Sequence, residues 1–196
     1  MAERRLTIVT VVDFGVEGLA AIEGSAMAAD QRFDFVLNEK QREVQFAVNQ
    51  PQEGALPVRY QFRAYHRDGW AVQRPSFESA PMTTEAAIFI VDPHALYRYV
   101  VARAVAVFNE DRYRHVFVDV KAQTDAGWSH TETIRVSPET PEGIVRFIVD
   151  VGAKVTLQQR FRYATRPGEV VELPWQPADE GTIIVGNPPP AGGEIG

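Results

Sequence analysis

The sequence contains no cysteine, which excludes disulfide bonds and thiolate metal sites. Long hydrophobic runs are also absent, because the apolar stretch at residues 6–12 ends at Asp13 and a membrane-spanning helix needs roughly 20 such residues. Arginines precede this stretch, as in a signal peptide, but the stretch is too short for one and is interpreted as a strand. We therefore expect neither a signal peptide nor a membrane span.

Basic runs are missing as well. The net charge of the 196-residue chain is −6, and charges of both signs are spread along it. A nucleic-acid partner requires a basic face to neutralise phosphates, so none is expected. With 45% hydrophobic and 23% charged residues, the composition is typical of a folded globular protein. These features leave the cellular compartment open, and our working expectation is synthesis in the cytoplasm followed by incorporation into a particle.

Signatures of catalysis and metal binding are not found either. No two of the four histidines have a ligand spacing such as His-x-His or His-x-x-x-His. Ser25 lies in "EGSAM" rather than in a Gly-x-Ser-x-Gly elbow, and no glycine-rich loop leads into a predicted helix. We predict that the carboxylates lie in turns or on solvated strand faces, as at Asp68, Asp119, Asp179 and Glu180. The sequence thus predicts no catalytic residue, no cofactor and no metal site, and a protein that is not an enzyme.

What the sequence does contain is an internal repeat. "FRAYHRDG" at 62–69 returns as "FRYATRPG" at 161–168. Extending this match without a gap pairs Val72 with Val171, and a deletion in the second copy follows. The remaining matches are "EVQFAVN" at 43–49 with "IVRFIVD" at 144–150, and "IFIVDP" at 88–93 with "IIVGNP" at 183–188.

An offset of about 100 residues is typical of tandem domains rather than of a solenoid, whose repeats are shorter. We predict a first domain at residues 1–93, a second domain at 94–188 and a Pro/Gly-rich C-terminal tail at 189–196.

Within each copy, apolar residues alternate with polar ones. In "HVFVDVKA" at 115–122, Val116, Val118 and Val120 share one face of a strand, and the polar residues share the other. Turn residues separate such segments. The predicted strands of the first domain are 6–14, 18–27, 32–38, 43–49, 58–66, 70–77 and 86–92. Those of the second domain are 99–108, 115–122, 131–137, 144–150, 156–165, 169–176 and 182–186.

The segment "HALYRYVVARAVAV" at 94–107 is open to two interpretations. Its Ala, Leu and Arg content suits a helix, whereas its Val and Tyr content and its position between the copies favour a strand. With the strand adopted, the predicted fold is all-β and consists of two tandem seven-stranded antiparallel β-sandwiches. This pattern resembles tandem immunoglobulin-like or fibronectin type III-like domains in strand number and spacing, although the Cys, Trp and Cys framework of immunoglobulin domains is absent.

The aromatic residues form two groups. Phe46, Phe62, Phe147 and Phe161 recur in register and are predicted to lie in the core. The second group lies in turns or beside prolines, where a ring serves either as a platform for sugar or protein contact or as a lid on one end of a sandwich. Its members are Trp70, Phe77, Trp128 and Trp175.

Two arginines form a further candidate contact site. Arg160 and Arg162 flank the inward-facing Phe161, so the alternation places both on the outer face of their strand. They pair either with acidic groups of a neighbouring subunit or with acidic groups of their own chain.

Two functional hypotheses follow. The first is a non-catalytic structural or interaction protein, a subunit of a filament, sheath, virion or secretion-type particle, which self-associates through sheet edges, the arginine-bearing face and the tail. The second is a carbohydrate-binding module with a glycan partner, held by the turn tryptophans. We expect function where the copies differ, at residues 70–85 and 169–181, and in the tail that only the second copy has.

Overall fold

The computed structural model describes residues 2–50, 54–108 and 112–188. The predicted all-β fold is confirmed, and the chain divides into two compact units, Met1–Arg98 and Tyr99–Gly196. A 3-10 turn at Pro93–Ala95 precedes the strand Tyr97–Ala106, which contains the boundary between the two units. In chain order the strands are β1 (Ala2–Val9), β2 (Leu19–Ala28), β3 (Gln31–Leu37), β4 (Glu43–Gln50), β5 (Val58–His66), β6 (Ala71–Val72), β7 (Ser76–Glu78), β8 (Met82–Thr84), β9 (Ile88–Ile90), β10 (Tyr97–Ala106), β11 (Tyr113–Thr124), β12 (Ser129–Val136), β13 (Glu142–Asp150), β14 (Val155–Thr165), β15 (Val170–Glu172), β16 (Gln176–Ala178) and β17 (Gly181–Val185).

The first unit is a sandwich of two sheets. The larger sheet has the order β3-β2-β5-β7, with β8 also paired to β5, and the smaller sheet has the order β4-β1-β9. Aromatic rings join the two inner faces: Phe33 and Phe46 lie 4.9 Å apart between ring centroids, and Tyr60 and Phe89 lie 4.5 Å apart. These contacts place the core between the sheets, as the alternating sequence requires.

The second unit repeats this arrangement. Its larger sheet has the order β12-β11-β14-β15, with β16 also paired to β14, and its smaller sheet contains β17, β10 and β13 in that order. The hydroxyl of Tyr163 on β14 donates a hydrogen bond of 2.9 Å to the carbonyl of Gly186, which follows β17. This bond ties the larger sheet to the last strand of the smaller one.

The quoted repeat is part of the scaffold in both units. Phe62 lies opposite Gly24 and is 3% exposed, and Phe161 lies opposite Val118 and is 6% exposed. The glycine that ends each repeat has a positive φ, +86° at Gly69 and +97° at Gly168, which a glycine adopts without strain. The predicted core positions are confirmed at Phe62, Phe147 and Phe161, whereas Phe46 is half-buried.

Strand direction departs from the prediction at one strand of each unit. Segment 94–107 forms the strand β10, as predicted, but the antiparallel pattern is incomplete because β9 pairs with β1 in parallel and β17 pairs with β10 in parallel. In each unit the chain leaves the larger sheet before this last strand and returns to the edge of the smaller sheet. Such a crossover permits a parallel pair, which a tight hairpin cannot form.

The alignment of the copies also needs correction. Phe77 lies opposite Ala64 and Val171 lies opposite Tyr163, so Val171 corresponds to Phe77 and not to Val72. The predicted strand 70–77 is two short strands, β6 and β7, separated around Pro75, which has no backbone N–H to donate to a ladder.

The last strand of each copy is aligned one residue out of register. The sequence match pairs Ile88 with Ile183, but Ile88 is 64% exposed and Ile183 is 5% exposed. Phe89, at 6% exposure, is the true counterpart of Ile183. A shift of one residue exchanges the two faces of a strand, which explains the mismatch.

The first predicted strand, 6–14, ends earlier than expected. β1 ends at Val9, and the side chain of Asp13 accepts hydrogen bonds from the backbone N–H groups of Gly15 and Val16 at 3.0 and 3.1 Å. An aspartate that bonds the backbone two and three residues ahead stabilises a turn. The predicted tail, 189–196, lies outside the described residues.

His66 at the end of β5 is an ionisable group among aromatic rings. Its ring packs edge-on against Phe77 at 5.6 Å and Tyr97 at 4.7 Å between centroids. Both ring nitrogens are shielded from solvent and form no hydrogen bond with the described residues. Burial lowers the pKa of His66 from 6.5 to about 4. The imidazole is therefore neutral in the folded protein at physiological pH.

We predict an acid-sensitive contribution to stability from His66. The unfolded chain protonates this imidazole near its ordinary pKa of 6.5 and the folded chain only near 4, so the free energy of unfolding falls as the pH decreases through this interval. Allowing for partial solvent access, the loss is about 2 kcal/mol. Urea denaturation of the wild type and of His66→Leu at several pH values measures it. The variant should lose this part of the pH dependence, whereas His130→Gln, which removes an exposed imidazole, should retain it. Equal slopes in all three proteins would contradict the prediction.

Candidate functional site

A buried carboxylate organises the outer face of the larger sheet in the second unit. Asp119 on β11 lies directly opposite Arg160 on β14 and Thr133 on β12. Arg162 lies two residues further along β14 on the same face. Although Asp119 points away from the core, its side chain is only 3% exposed because these neighbours cover it.

The carboxylate of Asp119 accepts five hydrogen bonds. Arg160 donates from Nε at 3.1 Å and from Nη2 at 2.9 Å to Oδ2. Arg162 donates from Nε to Oδ2 at 2.8 Å and from Nη2 to Oδ1 at 2.7 Å, and Thr133 Oγ1 donates to Oδ1 at 2.7 Å. Both guanidinium groups therefore engage the acid through two nitrogens each, a strong and directional form of ion pairing. We refer to Asp119, Thr133, Arg160 and Arg162 as the Asp119 cluster.

These contacts fix the charge state of the cluster. Burial alone would raise the pKa of Asp119, but hydrogen bonds from Arg162, Thr133 and Arg160 outweigh it and the pKa is lowered. The hydrogen bond to Asp119 in turn raises the pKa of Arg162. An acid that stays ionised and has its oxygens occupied is a poor proton carrier. The cluster is therefore suited to holding a surface in place rather than to acid–base chemistry.

Aromatic rings extend the cluster on both sides. The guanidinium of Arg160 lies 4.8 Å from the ring centroid of Trp175, and that of Arg162 lies 5.2 Å from that of Phe117. The ring of His115 contacts Phe117 edge-on at 4.8 Å. Each arginine is thus held by the carboxylate and by an aromatic face, which favours a single ordered arrangement.

Three of the six predicted contact residues meet at this face: Arg160, Arg162 and Trp175. Both arginines are bound to acidic groups of their own chain, since Arg160 also contacts Glu172 at 2.7 Å. The intrachain alternative is therefore the one observed. Trp175 is 37% exposed, and Arg160 lies over its ring.

The other three predicted residues lie elsewhere. Phe77 is 1% exposed and belongs to the core, because the small side chain of Ala64 opposite it leaves room for the ring. A Cβ atom placed on Gly18 would lie 2.3 Å from the indole of Trp70, so this ring packs against the glycine backbone. Half-buried Trp128 stacks on His130 at 6.0 Å between ring centroids.

Two members of this face are not predicted from the sequence. Asp119 was expected to be solvated, and it is buried; Phe117 was not singled out. The available signal was a lone aspartate on a strand otherwise rich in valine, opposite a second strand with arginines at alternate positions. An acid on such a strand has basic partners within cross-strand distance once the two pair.

Within the described residues, no group of three or more His, Cys, Asp or Glu side chains has the arrangement of a metal site. In the same ranges, no helix has the length and apolar character required to cross a membrane.

No known protein family matches the chain, and no curated protein matches it. Among solved structures, a candidate adhesin from Bacteroides ovatus is similar at 8% identity and a TM-score of 0.43, over 96% of this chain and 94% of the other. A leucine-rich repeat protein from Bacteroides thetaiotaomicron is similar at 9% identity and a TM-score of 0.27, over 95% of this chain and 26% of the other. CBD12 from CALX1.2 is similar at 12% identity and a TM-score of 0.20, over 84% and 75%. Likenesses of this size leave function to be argued from the residues of the chain itself.

We predict that the Asp119 cluster contributes strongly to the stability of the second unit. Asp119→Asn removes the charge that both arginines bind and should lower the free energy of unfolding by about 2–3 kcal/mol. Glu172→Gln is the matched control, because it breaks an exposed pair with Arg160 and should cost less than about 1 kcal/mol. Urea denaturation compares the two variants. If both variants lost a similar free energy of unfolding, burial of Asp119 would not strengthen its ion pairs and the prediction would be wrong.

Proposed function

We propose that the chain is a non-catalytic interaction protein that associates with further copies of itself and forms a subunit of a larger particle. The observation that carries this proposal is an exposed apolar row beside the edge strand of the smaller sheet, present at the same place in both units. Kinship with immunoglobulin-like or fibronectin type III-like domains is part of the proposal.

In the first unit the row follows β1 and β9. Ile90 lies opposite Val9 and is 54% exposed, Ile88 is 64% exposed, and Val11 beyond the end of β1 is 72% exposed. Within the described residues, β9 is the last strand on its side of the smaller sheet. We call Val9, Val11, Ile88 and Ile90 the first apolar row.

In the second unit the row follows β10 and β17. Ile184 lies opposite Val105, as Ile90 lies opposite Val9, and it is 60% exposed. Val107 beyond the end of β10 is also 60% exposed. β17 is likewise the last described strand on its side. We call Val105, Val107 and Ile184 the second apolar row.

Folding does not account for these side chains, because they point away from the core. Exposed apolar patches are typical of protein contact sites, and an edge strand adds unpaired backbone groups that a further strand can bind. Edge strands are commonly protected by charged residues or proline, yet residues 88–90 and 181–185 contain neither. These rows therefore favour a protein partner.

Repetition of the row favours a second copy as that partner. Two similar apolar rows on one chain give it two contact sites of the same chemistry. If each row binds a row of another copy, every subunit has two neighbours, and association continues beyond a dimer. This is the behaviour of a particle or filament subunit.

The alternative of a tryptophan-based carbohydrate module receives less support from the geometry. Trp70 packs on Gly18, Trp128 stacks on His130, and Trp175 has Arg160 over its ring. A stacking platform needs an open ring face, and these contacts occupy part of each ring.

We predict that charge in the apolar rows limits assembly stepwise. The wild type should form species larger than dimers, Ile90→Lys or Ile184→Lys alone should stop at dimers, and the double variant should be monomeric, because a buried unpaired lysine opposes association. Sedimentation velocity and electron microscopy measure these states. Met27→Lys, which charges an exposed position on the larger sheet, is the control and should assemble like the wild type. A monomeric wild type at high concentration, or a double variant that still assembles, would refute the proposal.

A further inference from the structure

The outer face of the larger sheet in the first unit carries an open depression of about 200 Å³. Its position corresponds to that of the Asp119 cluster in the second unit. The side chains and backbone that line it belong to β2, β3, β5 and β7. We call it the first-unit depression, and its main polar lining residues are Glu23, Ser25, Asp34, Gln61, Arg63 and Glu78.

Smaller side chains open this depression. Gly24 lies opposite Phe62 on the neighbouring strand, just as Val118 lies opposite Phe161 in the second unit. The next cross-strand pair of the first unit, Ser25 with Gln61, therefore occupies the position of Asp119 with Arg160. A serine and a glutamine thus stand where the second unit has a carboxylate and a guanidinium.

The indole of the cluster is replaced as well. Ser79 N–H donates to the carbonyl of Phe62, and Leu173 N–H donates to the carbonyl of Phe161, each at 2.9 Å. Two residues further along, the first unit has Pro81 and the second has Trp175. The first unit therefore keeps the backbone of the cluster and a counterpart of Arg162, namely Arg63, but lacks the carboxylate of Asp119, the guanidinium of Arg160 and the indole of Trp175.

Hydrogen bonds hold one wall of the depression in place. Arg63 Nη2 contacts Glu78 Oε2 at 2.7 Å, and Gln61 Nε2 donates to Glu78 Oε1 at 2.9 Å and to the carbonyl of Ser79 at 3.0 Å. Side chains ordered in this way cost little further entropy when a ligand binds.

Two polar groups are free to meet such a ligand. The carboxylate of Glu23 and the hydroxyl of half-buried Ser25 form no hydrogen bond or ion pair within the described ranges, although both line the depression. Glu23 lies directly opposite Arg63 across the strands. The depression therefore offers a ligand the acceptor oxygens of Glu23 and the donor groups of Arg63 side by side.

We propose that the first-unit depression binds a single neutral sugar ring. Glu23, Asp34 and Glu78 outnumber Arg32 and Arg63 by one charge, which disfavours an anion. Sugar hydroxyls both donate to carboxylates and accept from guanidinium groups, and such charge-assisted bonds are strong. Tyr65 also lines the depression and supplies an aromatic surface for the apolar face of a sugar. Sites for drug-sized ligands enclose roughly 300–1,000 Å³, so a smaller ligand suits this one.

Saturation-transfer NMR of the full chain with a panel of free neutral hexoses tests the proposal, and a glycan array then screens terminal residues. At least one hexose should give a signal. Ser25→Asp with Gln61→Arg rebuilds the Asp119–Arg160 pair in the first unit and should reduce affinity at least about tenfold, as should the isosteric Glu23→Gln. Circular dichroism confirms that each variant is folded.

The controls separate this site from others. Trp175→Ala and the double variant Ile90→Lys, Ile184→Lys should bind the same hexose as the wild type, because both changes lie outside the first-unit depression. Absence of binding to every hexose and every glycan would overturn the proposal. So would binding that Trp175→Ala abolishes, or that survives both Glu23→Gln and the Ser25→Asp, Gln61→Arg exchange. Loss of self-association leaves this result unaffected, so the two proposals fail independently.

Discussion

The central strand pair of each larger sheet, β2 with β5 and β11 with β14, determines what the rest of its unit can do. Each of these strands pairs with a neighbour on both sides, so its backbone groups are directed along the sheet and not toward either face. Chemical variation is then confined to the two faces. The inner face fills the sandwich with residues such as Phe62 and Phe161, and the outer face is free to differ. Cross-strand pairing places Asp119 directly opposite Arg160 and diagonally opposite Arg162, which brings both arginines within reach of its carboxylate.

The two units show how one scaffold accepts different contents. On the inner face, the pair Ala64 with Phe77 in the first unit corresponds to the pair Tyr163 with Val171 in the second. The edge strand β7 supplies the aromatic ring in the first unit, whereas the central strand β14 supplies it in the second. On the outer face, the second unit fills the corresponding position with an ion cluster and the first leaves it open. Exchanges that conserve the filled volume keep the core packed, whereas exchanges on the outer face change the chemistry that a ligand meets.

Alternation in the sequence predicts which face a residue occupies, but not what covers it. The pattern in "HVFVDVKA" correctly placed Asp119 on the outer face, yet its cover comes from Thr133 and Arg160 on other strands. Such partners depend on register, which single-strand patterns leave undetermined. For the same reason the sequence match put Ile88 on Ile183, one residue out of register. Phe77 followed a proline and was grouped with turn residues, because the space left by Ala64 is visible only after the strands pair.

The sandwich also separates the two proposed contact surfaces. In each unit the outer faces of the two sheets point in opposite directions, since their inner faces pack on each other. The apolar rows lie on the smaller sheets, and the polar depression of the first unit lies on a larger sheet. A side chain that packs on Ile88 and Ile90 therefore approaches from the side opposite to Glu23 and Ser25. If copies associate through the first apolar row, that contact leaves the first-unit depression of each copy open to solvent. Weak binding by a single copy would then become firm attachment of the particle to a surface that carries many sugars.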